Sequence, residues 1–279
     1  MLPLIGCSPS LVDEPWLVSQ RRVVAVIAEP PEVTQGSAVR LRAVIASPDG
    51  PLEDADVRWA RCDEQTPFSQ NESTNLSCLA LLTSTPAGTA SVQVTIPDRA
   101  CAVFGPDVAT ATARPRDPDA TGGYYQPIGL ELDGQRSFAF ERLRCDPANI
   151  TNQTAQAFRQ TYTPNTNPTF TLMAFLDGRR ADWNALEAGR DVRLVADWSA
   201  SPEESFPSID RSTLELVTLI ERYDVSWFVS VGHLDRARSS TGQASWTLPT
   251  GSGEGTAWAV LRDSRGGAAV VAQAVSWGP

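Results

Sequence analysis

The motif GSAVRLRA at residues 36–43 returns as GRDVRLVA at residues 189–196, the two sharing G-x-x-V-R-L-x-A. A signature that recurs at so long a period constrains the chain to two like domains in tandem and argues against a short-period solenoid. Two further landmarks follow in the same order. DVRW at 56–59 is matched by DVSW at 224–227, and GTA at 88–90 by GTA at 255–257. Gly36 precedes Trp59 by 23 residues, whereas Gly189 precedes Trp227 by 38, so the second copy carries an insertion of about 15 residues between those strands.

Within each signature the apolar residues alternate. Val39, Leu41, Ala43 and Ile45 fall on one face with Arg40 and Arg42 opposite, and Val192, Leu194, Ala196 and Trp198 repeat the pattern. A period of two with one apolar face specifies a half-buried antiparallel strand. Other strands are expected at 21–28, 56–61, 91–96, 124–132, 136–144, 169–176, 225–231, 244–248, 256–262 and 268–277, with turn formers between them. Residues 213–222 fit either a helix or a strand; alternation of Leu214, Leu216, Thr218 and Ile220 favours the strand. One helix is expected, over 150–162, capped by Asn149 and carrying Ala155, Phe158 and Tyr162 on one face.

The 279 residues suffice for two ordinary cores. A net charge of −10 repels phosphate backbones and anionic lipid, so nucleic acid is excluded as a partner. The only run that suggests a membrane is LIGC at 4–7, which resembles the lipobox of bacterial lipoprotein precursors and makes Cys7 the lipid attachment. Only six residues precede Cys7, fewer than an export signal needs, so this reading places the true start upstream of Met1. Residues 8–20 then form a tether. The other four cysteines make two disulfides in an oxidising compartment, read here as Cys62–Cys78 and Cys101–Cys145, with the two other connectivities open.

Chemistry-bearing residues are sparse. The single histidine, His233, stands near Asp235, a pair that would suit a general base, but its loop context favours a solvated residue. Asp117 and Asp119 flank a flexible turn and are the candidate calcium ligands; the competing reading is a turn braced by Arg114 and Arg116. No other metal or cofactor is indicated. Of eight tryptophans, Trp59, Trp227 and Trp258 are assigned to cores. Trp183, Trp246 and Trp277 are placed at edges or loops, where together with Tyr124 and Tyr125 they would offer a platform for a sugar or a protein.

PRDPDATGGYYQP at 115–127, VSWF at 225–228 and AVLRDSRGG at 259–267, with the lipobox-like start, resemble a group of outer-membrane lipoproteins of myxobacteria-like Gram-negative bacteria. The last third is similar to immunoglobulin-like domains of bacterial surface proteins, including the PKD type. The resemblance implies a surface location and an immunoglobulin-like fold, with no catalytic signature. Ser8 after Cys7 fits sorting to the outer membrane. The expected architecture is all-β: two tandem immunoglobulin-like β-sandwich domains at 21–146 and 167–279, a connector helix within 147–166, and a lipobox-like start with tether at 1–20. The expected function is a non-catalytic, lipid-anchored surface module for binding or assembly, its partners other envelope proteins or copies of itself. The alternative is a carbohydrate-binding pair recognising polysaccharide.

Overall fold

The computed structural model describes residues 14–63, 89–106 and 117–279. In the first domain the strands are β1 (Arg22–Glu29), β2 (Glu32–Val33), β3 (Ala38–Ser47), β4 (Gly50–Leu52), β5 (Arg58–Arg61) and β6 (Ser91–Thr95). A short helix α1 (Ala100–Phe104) follows, then β7 (Tyr124–Leu132) and β8 (Gln135–Leu143). After the connector helix α2 (Asn152–Thr161), the second domain opens with β9 (Thr171–Leu176), β10 (Arg179–Arg180), β11 (Leu186–Glu187) and β12 (Asp191–Asp197). It continues with β13 (Ser205–Ile209), β14 (Leu216–Ile220), β15 (Asp224–Val229), β16 (His233–Leu234) and β17 (Arg238–Ser239). The last strands are β18 (Gln243–Thr247), β19 (Gly253–Arg262) and β20 (Ala268–Gly278).

The two domains repeat one topology. β1 lies antiparallel to β3; Pro30 and Pro31, which have no N–H to donate, end that pairing, and the chain crosses to the other sheet, where β2 runs parallel to β8. In the second domain β9 lies antiparallel to β12, and β11 then runs parallel to β20. The signature strands β3 and β12 occupy the same place, each between this first strand and a later one, β6 or β18. The opposite sheets run β2-β8-β7-β5 and β11-β20-β19-β15-β17. This is the immunoglobulin arrangement, two antiparallel sheets packed face to face with an opening strand that changes sheets. Val39 and Val192 are both buried, as are Trp59 on β5 and Trp227 on β15.

The third landmark does not correspond. Thr89 and Ala90 lie just before β6, which pairs with β3, whereas Gly255–Ala257 lie in β19, which pairs with β15 and β20. Gly88 lies outside the described residues. Similar spacing from the tryptophan hides the difference, because the first domain spends its length between β5 and β6 and the second reaches β19 by way of the short strands β16, β17 and β18.

The sandwiches stack on each other. A third apolar cluster, separate from the two domain cores, unites Val24, Ala25 and Ala46 of the first domain with Trp258 and Val260 of the second. This explains β19, in which Thr256 to Leu261 are all buried. Ala257, Ala259 and Leu261 face their own core while Trp258 and Val260 face the other domain. A strand covered on both sides reads as a continuous apolar run and loses its alternation.

The stretch read as a tether is not free at its end. Val18 is fully buried in the interdomain cluster, its N–H donates to the Val229 carbonyl, and Val229 N–H donates to the Trp16 carbonyl. The helix begins later than expected. Asn149 is left-handed at φ 59°, unsuited to capping, while Thr151 is extended and accepts from the Thr154 N–H at 3.1 Å.

Replacing Trp258 by alanine is expected to remove about 3–5 kcal/mol, the usual cost of emptying a buried aromatic site. Because that ring serves the seam rather than either core, urea unfolding should change from one cooperative transition to two.

Candidate functional site

The second domain's insertion folds as the hairpin β13-β14, paired through Ser205–Ile220 to Ile209–Leu216. It reaches back over the first domain, where Arg211 donates to the Asp119 carbonyl at 3.3 Å. Between this hairpin, α2 and the end of β8 lies a cleft of about 350 Å³. Its floor is Tyr124, Arg142 and Leu143, its far wall Phe158 and Tyr162 of the helix. Cys145, bonded to Cys101 with Cα atoms 5.6 Å apart, closes one end.

Leu214 stands at the mouth, 44% exposed and in the left-handed region at φ 58°. A branched aliphatic residue adopts that conformation only where neighbours impose it. Here Asp210 does so. Its carboxylate accepts the Ser212 hydroxyl and the Ser212 and Thr213 N–H groups, which hold its pKa down at about 2, and its carbonyl accepts from the Leu214 N–H. An apolar side chain is thus held in solvent beside a cleft.

Arg142 is the cationic element of the floor, its side chain 2% exposed. It donates to the Thr121 hydroxyl at 2.6 Å and to the Tyr125 hydroxyl at 3.1 Å, while its Nε faces Glu32 as an ion pair at 3.9 Å without a hydrogen bond. Gly123 makes room for it, since a Cβ there would stand 2.1 Å from the guanidinium. Tyr125 in turn donates to Asp119 at 2.6 Å. Burial, and then the Asp119 charge and its hydrogen bond, outweigh the nearby Arg142 and push the Tyr125 hydroxyl up to about 12.

Behind the cleft, Arg265 of the DSRGG turn is wholly buried where both domains and the linker meet. It donates to the Thr163 carbonyl at 2.7 Å, to Glu221 at 3.2 Å and to Glu32 of β2 at 3.3 Å. The guanidinium lies over the Phe206 ring at 4.6 Å and the Tyr162 ring at 5.4 Å. Glu32 also accepts from the Tyr162 hydroxyl and the Asn165 N–H. Burial, with repulsion from Asp263, pushes Glu221 up to about 6. Burial, with repulsion from Glu32, pushes Glu141 up to about 8.

The residues singled out in the sequence fall in different places. Tyr124 is buried in the first core and reaches the cleft only as part of its floor. Trp246 sits on β18, flanked by β12 and β16 and fully buried, its indole N–H donating to the Val231 carbonyl at 2.9 Å. It offers no face to a ligand, and Trp277, also placed at an edge in the sequence, is likewise a core residue. Trp183 packs partly buried on the second core. Among the described residues the four aromatics Tyr124, Tyr125, Trp183 and Trp246 build no shared platform.

Asp119 is saturated by its own turn. Burial is overcome by donation from Tyr125, from the Thr121 hydroxyl and backbone and from the Gly123 N–H, so its pKa is lowered. The arginine beside it is Arg142, at 3.9 Å; Arg114 and Arg116 lie outside the described residues. Asp117 lines the cleft. His233 is 58% exposed, stands edge-on to Trp16 at 5.2 Å and faces Glu14, while Asp235 binds Arg236 and the Ser245 N–H. The two therefore form no acid–base pair. Cys62 is disulfide-bonded. Cys78 and Cys7 lie outside the described residues.

No protein-family model matches the chain, and no curated protein matches it. Among solved structures it is similar to the adhesin InvE of Yersinia pseudotuberculosis, at 11% identity and a TM-score of 0.23, covering 91% of this chain and 62% of that one. It is also similar to invasin, a bacterial integrin-binding protein, at 13% identity and a TM-score of 0.24, covering 92% and 39%. A titin Z1Z2 chimera matches at 12% identity and a TM-score of 0.20, covering 92% and 99%. The chain thus spans under two thirds of the length of the first two. At these scores the matches carry no argument, and the immunoglobulin-like assignment stands on the strand pairing.

Arg265→Ala and Glu32→Ala are each expected to cost about 3–5 kcal/mol by leaving a buried charge unpaired, and the double variant to cost less than their sum. Denaturant midpoints of the cycle test this. Glu221 and Glu141 titrate above their ordinary 4.5 when folded, so the folded chain holds more protons than the unfolded one between 4.5 and about 8. Stability should therefore fall as pH rises through that window, by up to about 1.4 kcal/mol per pH unit for each group. Glu141→Gln should flatten the upper part of the slope, between about 6 and 8, in urea titrations.

Proposed function

We propose that this chain is a lipid-anchored, non-catalytic module of the bacterial cell surface that captures a partner protein at the junction cleft. The observation that carries the reading is the cleft's construction. Both domains, the connector helix and an inserted hairpin contribute to it, and Leu214 is held exposed at its mouth. The hairpin also exposes Leu216 and Ile220, by 36% and 67%, outside the lining of the cleft. Such side chains on a rigid frame favour protein capture over chemistry. The separation of His233 from Asp235 supports the non-catalytic half of the reading. The anchor at Cys7 and the outer-membrane location rest on the lipobox-like start and on the resemblance to outer-membrane lipoproteins.

Cross-linking on intact envelopes should give a discrete adduct with the native chain, and Leu214→Asp should abolish it while leaving the urea midpoint unchanged. A chain found alone in the periplasm would overturn the proposal. Cys7→Ala should move the protein from the membrane to the soluble fraction and end its labelling by radioactive palmitate.

A further inference from the structure

A second cavity, of about 420 Å³, opens on the other side of the first domain. It is a slot between the two sheets, bordered by β1 and β8. Among the described residues β1 pairs as a strand only with β3, and β8 from Gln135 to Glu141 only with β7. Val23 and Val26 from one sheet and Ile128, Leu130 and Phe138 from the other form its apolar walls, and Ser137, Glu141, Arg262 and Asp263 add polar lining. The turn at 262–268 of the second domain covers one end.

Glu141 lines this slot, 1% exposed, and neither of its carboxylate oxygens has a hydrogen-bond partner. The charged groups around it are occupied elsewhere. Arg262 donates to Ser226 and the Val24 carbonyl, Asp263 accepts from Asn165 and from the Arg265 and Gly267 N–H groups, and Glu32 serves Arg265 and Tyr162. Arg142, next on the strand, turns to Thr121 and Tyr125 on the other face, and Tyr125 donates to Asp119. Burying a carboxyl group with neither oxygen hydrogen-bonded is costly whether it is ionised or protonated. A native chain keeps one where something else supplies the donor.

We infer that the slot between β1 and β8 is a binding site for a small aliphatic amine, its alkyl chain lying along the apolar walls and its ammonium group donating to Glu141. A divalent cation is disfavoured because the other carboxylate lining the slot, Asp263, is already taken by Asn165 and the Arg265 and Gly267 N–H groups, which leaves Glu141 short of the several oxygens such an ion requires. The chain contains no lysine, so a second copy has no lysine side chain to insert, and the amine is supplied from outside. Free amines and the lysine side chains of another protein share this chemistry, and the blocked lysine in the test separates the two sources.

The pH dependence follows from the same carboxyl. The amine binds its ionised form, and in the empty slot Glu141 holds its proton up to about 8. Binding therefore displaces one proton, and affinity should tighten about tenfold per pH unit up to that value and level off above it.

The test is calorimetric titration of the full chain with n-hexylamine, with hexan-1-ol of the same length as the neutral control. A third titrant is lysine blocked at both its amino and carboxyl groups. Hexylamine should bind at neutral pH, hexanol and blocked lysine at least about tenfold more weakly, and Glu141→Gln should lose at least about tenfold in amine affinity. Titrations between pH 6 and 7 in buffers of different ionisation enthalpy should report about one proton released per amine bound, a readout that needs no variant. The inference is overturned if hexylamine fails to bind at alkaline pH, if hexanol binds as tightly, if Glu141→Gln binds as well as the native chain, or if no proton is released. Tighter binding of the blocked lysine would overturn the assignment to a free amine.

Discussion

The guanidinium of Arg265 is the point through which the two halves of the molecule communicate. It belongs to the turn between the last two strands of the second domain, yet its donors reach β2 of the first domain, the linker backbone and the second domain's own Glu221. A buried charge is tolerated only where its partners are fixed, so the relative position of the sandwiches is tied to the geometry of that one planar fork. Its two aromatic faces come from α2's terminus and from the inserted hairpin. The parts that build the cleft are thereby the parts that enclose the charge.

The apolar seam and the buried ion cluster are complementary. Trp258 and Val260 bring the sheets together without strong directional preference, whereas Arg265 and Glu32 select one orientation. Gly267 belongs to this arrangement, since a Cβ there would stand 2.1 Å from Asp263, whose carboxylate receives the turn's N–H groups. The DSRGG motif is therefore explained by packing across the junction rather than by turn formation alone.

Much of this was legible in the residues. The alternation around Val39 and Val192 located equivalent strands, the tryptophans of DVRW and DVSW fell on β5 and β15, and the 44-residue pairing of Cys101 with Cys145 is present. The surplus length in the second copy became a hairpin, and alternation correctly favoured a strand at Leu216. What escaped is what alternation does not encode. It tells which face of a strand is apolar but not what covers it, so Trp258 was assigned to a core when it fills the seam, and Trp246 to an edge or loop when it is buried in the second core. The GTA match misled because short motifs of small residues recur by composition. Arg142, Arg265 and Glu141 carried no local signal, for each derives its role from elements far away in the chain. Only the unbroken apolar run of β19 hinted that a second surface lay against it.

The strap formed by Trp16 and Val18 alters how tension would pass through this molecule. It grips the second sandwich at Val229 before the chain turns back to start the first. A pull arriving from upstream of Glu14 meets those two backbone hydrogen bonds and the enclosed Val18 side chain first. The sandwich that comes second in sequence is thus the first to bear load, and the opening strand β1 is spared until the strap has peeled away.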